Sequence, residues 1–439
     1  MDQAIAIQGR TSREVAASVE EAVREGRVAP GDLLPSVRSL AARLGLSPAT
    51  VAAAYRDLRG RGVLTGTVGK GTRISPRPPL VSRVAVPLPE GIRDVSDGNP
   101  DPSLLPSLND VAHALRMPPY RYGDSTMVSG MSELGARVFG EFQLAEEQIC
   151  LTSGAMDGME RILAAWLRPG DKVVVEDPCY TGVLDLVRAA GLNPVPTLVD
   201  DRGLVPGSLR DALAARPAAV ILTPRAQNPT GAALDADRAD ELATVLDSHP
   251  DVIVVENDHA SSVSGVRYHT LIRSRRHWAV LRSVSKTLGP DLRFAFLAGD
   301  HTTVSRVEGR QKLGAGWVSH VLQHMVLGML CAPETEELMA RARDTYTRRR
   351  EQFIGELAHR GVNGRGTSGL NVMIPVPEEA ATLRRLQGLG WVLRAGEPHR
   401  LATPPFIRAT IATLDSEDIT ALADAVAGTL RPRSRSHFA

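Results

Sequence analysis

The sequence predicts an α/β protein, a large body of alternating strands and helices behind a small winged helix-turn-helix head. Three observations carry this. From residue 96 onward, apolar segments such as "AAVILTP" (218–224) and "DVIVVEND" (251–258) alternate with amphipathic ones such as "DADRADELATVLDS", the order of a doubly wound sheet. Within residues 1–75, two short helical stretches flank a glycine turn and are followed by a glycine-tipped hairpin. Between head and body, residues 76–95 hold five prolines and little periodicity, which suits a semi-rigid extended connector.

The bulk composition agrees. At 439 residues the chain exceeds what one core usually serves, and 43% apolar residues suffice for more than one. No apolar run approaches the length of a membrane span, and the N-terminus lacks the basic-then-apolar order of a signal peptide. Cys150, Cys179 and Cys331 are odd in number and far apart, so neither a disulfide framework nor a metal site is expected. A reducing cytoplasm fits best. The net charge is +1, but residues 1–75 carry 11 Lys+Arg against 7 Asp+Glu, which leaves the rest of the chain slightly acidic. A basic head on an acidic body is the asymmetry of a domain that meets a polyanion.

In the head, a first helix is expected over Ser12–Glu25, ending before Gly26. A second follows Ser36 as cap, with Val37, Leu40, Ala41 and Leu44 along one face, and Gly45 makes the turn. Ser47 caps a third helix with Pro48 at its first position, where the missing N–H costs nothing. "VLTGTVGKGTRI" then reads as two β-rich arms around Gly69-Lys70-Gly71. In this order the third helix can enter a major groove while Arg38 and Lys70 reach flanking phosphates. A small protein-interaction domain is the alternative, and it leaves the basic wing without a task.

In the body, each candidate motif closes a strand or opens a helix, where open α/β sheets place their sites. "LTSGAMDGMERIL" ends a strand at Leu151 and starts a helix near Ala155, whose N-terminus suits an anion. "EDPCY" puts Tyr180 past a strand, "QNPTG" puts Asn228 past the next, and "VENDHA" and "RSVSKTLGPDLR" follow. Taken singly these are ordinary: Ser-Gly before a helix, a loop tyrosine and an Asn-Pro turn are all common. Their order is what is specific.

The head resembles GntR-type regulators, with "LPSVRSLAARLGLSPATVAAAYRDLRGRG" and "GKGT" as the match. The body, residues 96–432, resembles fold-type I aminotransferases of class I and II through "YRYGD", "TSGAMDG", "EDPCY", "QNPTG", "VENDH", "SVSKTLGPDLR" and "FIRATIATL". The whole chain therefore resembles the MocR-type subfamily of GntR regulators. The resemblance implies that Arg38, Ser47, Ala49, Thr50, Gly69 and Lys70 contact DNA, although Pro48 and Ala52–Ala54 leave few groups for base readout. It implies that Lys286 forms a Schiff base with pyridoxal 5′-phosphate. Ser153, Gly154, Ala155, Ser283, Ser285 and Arg293 would hold the phosphate, Tyr180 would cover the ring, and Asn228 would bond O3′. Tyr122 would reach the phosphate of the partner subunit in a homodimer, and Arg408 would clamp an effector carboxylate.

One stretch departs from the family pattern. Aminotransferases set an aspartate against the pyridine nitrogen and a tyrosine shortly after it. Here Asn257 takes the aspartate position, with Asp258 next and His259 where tyrosine is usual. Replacing the charge by an amide forfeits on the order of 4 kcal/mol of attraction. A shift of one residue would give Asp258 the role instead, so both registers are open. The expected function is a transcriptional regulator that binds an operator in double-stranded DNA. Its body would sense pyridoxal phosphate, or an amine or amino acid that forms an aldimine with it. The alternative is an active aminotransferase with an autoregulatory head. The intact Lys286–Arg293 unit argues against loss of the cofactor, and Asn257 favours the regulator.

Overall fold

The computed structural model describes residues 7–65, 71–75, 91–273 and 275–431. It divides into two compact units: one holds the head with the segments Leu167–Val173 and Thr181–Pro194, the other the rest of the body.

The head's helices are α1 (Ser12–Arg24), α2 (Val37–Leu44) and α3 (Pro48–Gly60). Thr11, Ser36 and Ser47 cap them, each side-chain oxygen accepting from the backbone N–H three residues on. Val15, Val19, Ala22 and Val23 of α1 meet Leu40, Val51, Ala54, Tyr55 and Leu58 in one core, because each set falls at helical spacing. Tyr55 is fully buried, and its hydroxyl donates to the Pro35 carbonyl at 2.9 Å. Strands β1 (Leu64–Thr65) and β2 (Arg73–Ile74) pair antiparallel. The hairpin tip, with Gly69 and Lys70, lies outside the described residues, as does the connector up to residue 90.

The connector ends earlier than the sequence suggests. β3 (Arg93–Asp94) pairs with a strand of the body, Trp391–Val392, and Val95 is buried in the small C-terminal core. Three residues in a proline-rich context look like linker; only pairing with a segment some three hundred positions on makes them structure.

The main sheet consists of β4 (Ile149–Thr152), β5 (Lys172–Asp177), β6 (Asn193–Asp200), β7 (Gly203–Leu204), β8 (Ala219–Leu222), β9 (Ile253–Asp258), β10 (Trp278–Ser283) and β11 (Ala295–Gly299). Their order is β4-β11-β10-β9-β8-β5-β6-β7. β8, β9 and β10 are parallel, whereas β11 runs antiparallel to both β10 and β4. β8, β9 and β10 are buried along their whole length, as expected for strands covered on both faces. A smaller sheet, Asn371–Pro375, Phe406–Thr410 and Arg394–Ala395, packs with helices Pro333–His359, Glu379–Gly388 and Ser416–Leu430 around Phe353, Leu357, Ile374, Ile407 and Leu422. Among the described residues no helix is long and apolar enough to cross a membrane.

Candidate functional site

Because β4, β8, β9 and β10 point the same way, their C-terminal ends bring Ser153, Asn228, His259 and Lys286 to one edge of the sheet. Lys286 sits in the turn after β10, and its Nζ donates to the Gly98 carbonyl at 2.6 Å. Burial pushes its pKa down to about 8, against the pull of Asp97 and with help from Arg408. A lysine so shifted has an appreciable free-amine fraction near neutrality, the form that attacks carbonyl carbon. His259 donates from Nε2 to the Ala226 carbonyl at 2.9 Å. Burial and the nearby Lys286 lower its pKa to about 4, so it stays neutral.

The second cation is Arg408, on the strand Phe406–Thr410 and 3% exposed. Its Nη1 donates to Asn228 Oδ1 at 3.0 Å and its Nη2 to the Ser96 carbonyl at 2.5 Å, while Nε is buried with no partner. Among the described residues no carboxylate forms an ion pair with it. Burial, and the charge of Arg394, lower its pKa to about 10. A buried guanidinium without a counter-ion is a standing site for an anion, and its fork matches a carboxylate.

Asn228 is held by the turn that carries it. Gln227 donates to buried Glu176 and to the Pro178 carbonyl, and accepts from Thr230, so "QNPTG" is knit to the end of β5. Burial raises the Glu176 pKa to about 7 against the hydrogen bonds it accepts from Thr223 and Gln227.

Two further pairs of expected site residues are in contact. Ser283 and Ser285 hydroxyls lie 2.9 Å apart. Gly154, at φ +97°, precedes helix Ala155–Trp166, and a Cβ there would fall 2.8 Å from Arg293 Nη2. Only glycine lets the guanidinium approach the helix N-terminus, and together they form an anion cradle. The Ser153 N–H is already engaged by Asp157, at 2.9 Å.

The strand register separates Asn257 from Asp258. Asp258 pairs across from Arg282, whose Nε donates to its carboxylate at 2.9 Å, and Arg225 binds the same carboxylate through two bonds at 2.8 Å. Side chains alternate along a strand. Asn257, its cross-strand neighbour Leu281, and Ser283 therefore share the other face. That face carries helix Ala155–Trp166, since a Cβ on Gly158 would abut Leu281. Asn257 is 4% exposed, and its Oδ1 is buried without a partner. Asp258, expected among the cofactor contacts, has its carboxylate bonded to Arg225 and Arg282 on the face opposite Asn257.

The remaining candidates are more scattered. Tyr180 is partly exposed at the end of its loop, whereas Tyr122 is 94% exposed and meets Trp317 edge-on, apart from the cluster. In the head, Arg38 and Ala49 are exposed, but the Ser47 hydroxyl caps α3 and bonds the Thr50 hydroxyl at 2.8 Å. Sequence reasoning missed Arg225, Arg282, Ser96 and Gly98. The first two flank recognised motifs and carry a charge toward a strand end; Ser96 and Gly98 act through backbone carbonyls, which no side-chain pattern reveals.

Comparison with known proteins bears on the family and the fold. The pattern of the family described as aminotransferase class I and II matches residues 95–426, and that of the bacterial regulatory proteins of the gntR family matches residues 11–74. The chain is 37% identical to the vitamin B6 salvage pathway transcriptional repressor PtsJ of Salmonella typhimurium, over 95% of this chain and 98% of that protein. It is 28% identical to the pyridoxine biosynthesis transcriptional regulator PdxR of Corynebacterium glutamicum, over 79% and 80% of the two chains. The fold matches the α-aminoadipate aminotransferase LysN of Thermus thermophilus, with a TM-score of 0.69, 22% identity, and 78% and 93% of the two chains covered. It also matches an archaeal alanine:glyoxylate aminotransferase, with a TM-score of 0.71, 20% identity, and 77% and 90% covered.

Proposed function

This chain belongs to the aminotransferase class I and II family and carries the head of the gntR family of bacterial regulatory proteins, and on that premise we propose that it is a transcriptional regulator whose body reads a vitamin B6 signal. The cofactor this family implies is pyridoxal 5′-phosphate, and the residues fit it. An anion cradle stands at Gly154 and Arg293, an amine of lowered pKa at Lys286, and a buried amide with an unused oxygen at Asn257. When bound, the cofactor supplies an aldehyde that condenses with amines.

The chain's own residues then do the recognition. Arg293, Ser283 and Ser285 would hold the phosphate at the N-terminus of helix Ala155–Trp166; Asn228, its amide fixed by Arg408, would be left to donate to the ring's phenolic oxygen; Lys286 would supply the amine that meets the aldehyde. The Asp258 bonds to Arg225 and Arg282 set Asn257 on the opposite face of the sheet, where it would meet the ring. Asn257 and neutral His259 would give the ring nitrogen no negative charge to lean on, which would weaken carbanion chemistry and leave capture intact.

The observation that carries this reading is that buried Arg408 and half-buried Lys286 are cations with no ion-pair partner among the described residues, in a chain that also has a helix-turn-helix head. Two relatives named for vitamin B6 pathways favour the cofactor itself as the signal, with an α-amino acid held by Arg408 as the further effector. We further propose a homodimer in the cytoplasm, with residues 1–75 on the operator. An active aminotransferase is the second reading, favoured by the intact Lys286–Asn228–Arg408 constellation. The deciding experiment measures, on one preparation, borohydride-trapped cofactor at Lys286, binding to the promoter fragments of the chain's own genomic neighbourhood, and amino-group transfer. Trapping with DNA binding and negligible transfer supports the regulator; rapid transfer with no DNA binding refutes it.

A further inference from the structure

Both site cations spend a donor on the same short backbone segment. Arg408 Nη2 binds the Ser96 carbonyl and Lys286 Nζ binds the Gly98 carbonyl, at 2.5 and 2.6 Å. That segment is the first stretch of the body after the connector and its strand β3. It is anchored on both sides. Upstream, the Arg93 N–H donates to the Gly390 carbonyl, the Val95 N–H to the Val392 carbonyl, and the Thr410 N–H to the Val95 carbonyl, at 2.8 to 2.9 Å. Downstream, the Asp101 N–H donates to the Tyr346 hydroxyl at 3.0 Å, and the Asp101 carboxylate pairs with Arg349 at 2.9 Å. Between the anchors, the Ser96 and Asn99 N–H groups bond the carboxylates two residues before them, Asp94 and Asp97. Among the described residues, the hydrogen bonds that tie Ser96–Asn99 to the rest of the body are therefore the two from Lys286 and Arg408. Gly98 also packs against the guanidinium, since a Cβ there would lie 3.5 Å from Arg408 Nη2.

We propose that Ser96–Asn99 is a ligand-responsive strap whose two carbonyls stand in for ligand at Lys286 and Arg408, so that site occupancy is read out at the foot of the connector to the DNA-binding head. The proposal rests on the regulator reading. Its chemistry is competition for protons. Condensation of Nζ with an aldehyde forms a C=N bond and releases water, which leaves that nitrogen no proton to spare for Gly98. A carboxylate arriving at Arg408 takes the forked Nη donors and displaces Ser96. Each step removes one charge-assisted hydrogen bond from a segment with few others. The two steps are separable, because pyridoxal 5′-phosphate engages Lys286, whereas its reduced adduct with L-alanine brings a carboxylate to Arg408 and leaves the Lys286 amine free.

The test is hydrogen exchange on the full-length protein, read at the amides of residues 96–99, with promoter-fragment affinity measured in parallel. With pyridoxal 5′-phosphate, exchange at Asn99, whose N–H is bonded within the segment, should rise about tenfold, the size expected for losing one such bond. With the adduct, the rise should move to Ser96. Exchange at Val95 and Asp101 should stay constant in both cases. Arg408→Gln should show raised exchange at Ser96 without ligand and no further rise with the adduct. If ligand binds and shifts DNA affinity while exchange at 96–99 changes less than about twofold, within the scatter of local opening, the strap is overturned and the regulator stands. Failure of ligand to bind at all would overturn both.

Discussion

Arg282 and Asp258 face each other across β10 and β9, and the bond between them sets Asp258 and its neighbour Asn257 on opposite faces of the sheet. Arg282 Nε reaches the carboxylate at 2.9 Å, and Arg225 closes the other side. With Asp258 locked below the sheet, strand alternation leaves Asn257 above it.

That lock predicts a stability effect. Asp258→Asn strips the counter-charge from two arginines that are themselves only 5% and 11% exposed in their side chains, and breaking such a buried pair costs about 3–5 kcal/mol. Glu141 still partners Arg282, which places the loss toward the lower end. Burial pushes the Asp258 carboxyl up, but Arg225 and Arg282 outweigh it and hold its pKa below the ordinary 3.8. Its contribution is thus present above pH 4 and lost as pH falls through the lower folded value. Urea unfolding at pH 7 and pH 3 should show the variant's deficit shrinking in acid.

Lys286 predicts a pH profile for capture. Its Nζ pKa is lowered from 10.5 to about 8 by burial, and the free amine is the reactive form. The rate of pyridoxal phosphate capture should climb between pH 7 and pH 9 and level off above, followed by stopped-flow absorbance. A rise that continues to pH 10 and beyond would mean that the amine is not shifted. Lys286→Ala should abolish borohydride trapping.

Much of this site was legible because its motifs close successive strands, and the order of "TSGAMDG", "EDPCY", "QNPTG" and "SVSKTLGPDLR" maps onto one sheet edge. The head was legible for a similar reason: Ser36, Gly45, Ser47 and Pro48 are local signals that act within a turn of where they stand. What stayed hidden depends on distance. β3 is two residues long and exists only through Trp391–Val392. The commitment of Asp258 to Arg225 and Arg282 joins β9, β10 and the loop after β8, and one bond each from Arg408 and Lys286 ends on a backbone carbonyl, which every residue possesses.

The head predicts a salt-sensitive interaction with DNA. Arg38 is exposed beside the helix pair, and Arg38→Ala should weaken operator binding by roughly 1–3 kcal/mol if it reads a guanine, with specificity relaxed at that position. Ser47→Ala acts differently. Its hydroxyl caps α3, so the loss should be about 1 kcal/mol of head stability, with unchanged sequence preference in a binding assay at matched folded fraction.

Asn257→Asp is the substitution that separates capture from turnover. The wild-type amide is buried on the cofactor face with Oδ1 unpaired, and nearby His259 is neutral with a pKa of about 4. In the proposed site neither residue would offer the ring nitrogen an anion to hold its proton. An aspartate in its place would supply the charge, at about 4 kcal/mol for a contact pair in a partly shielded site. The ring nitrogen should then stay protonated to higher pH, and amino-group transfer to a keto acid should rise by at least tenfold. The bound cofactor's absorption should shift in the same variant without any substrate, a readout independent of turnover. Because the introduced carboxylate would stand next to Asp258, some stability should be lost, but Arg225 and Arg282 already neutralise Asp258. If both spectrum and transfer stay flat in Asn257→Asp while Asp258→Asn shifts the spectrum at full folding, the ring nitrogen faces the other residue, and the argument from strand alternation is wrong.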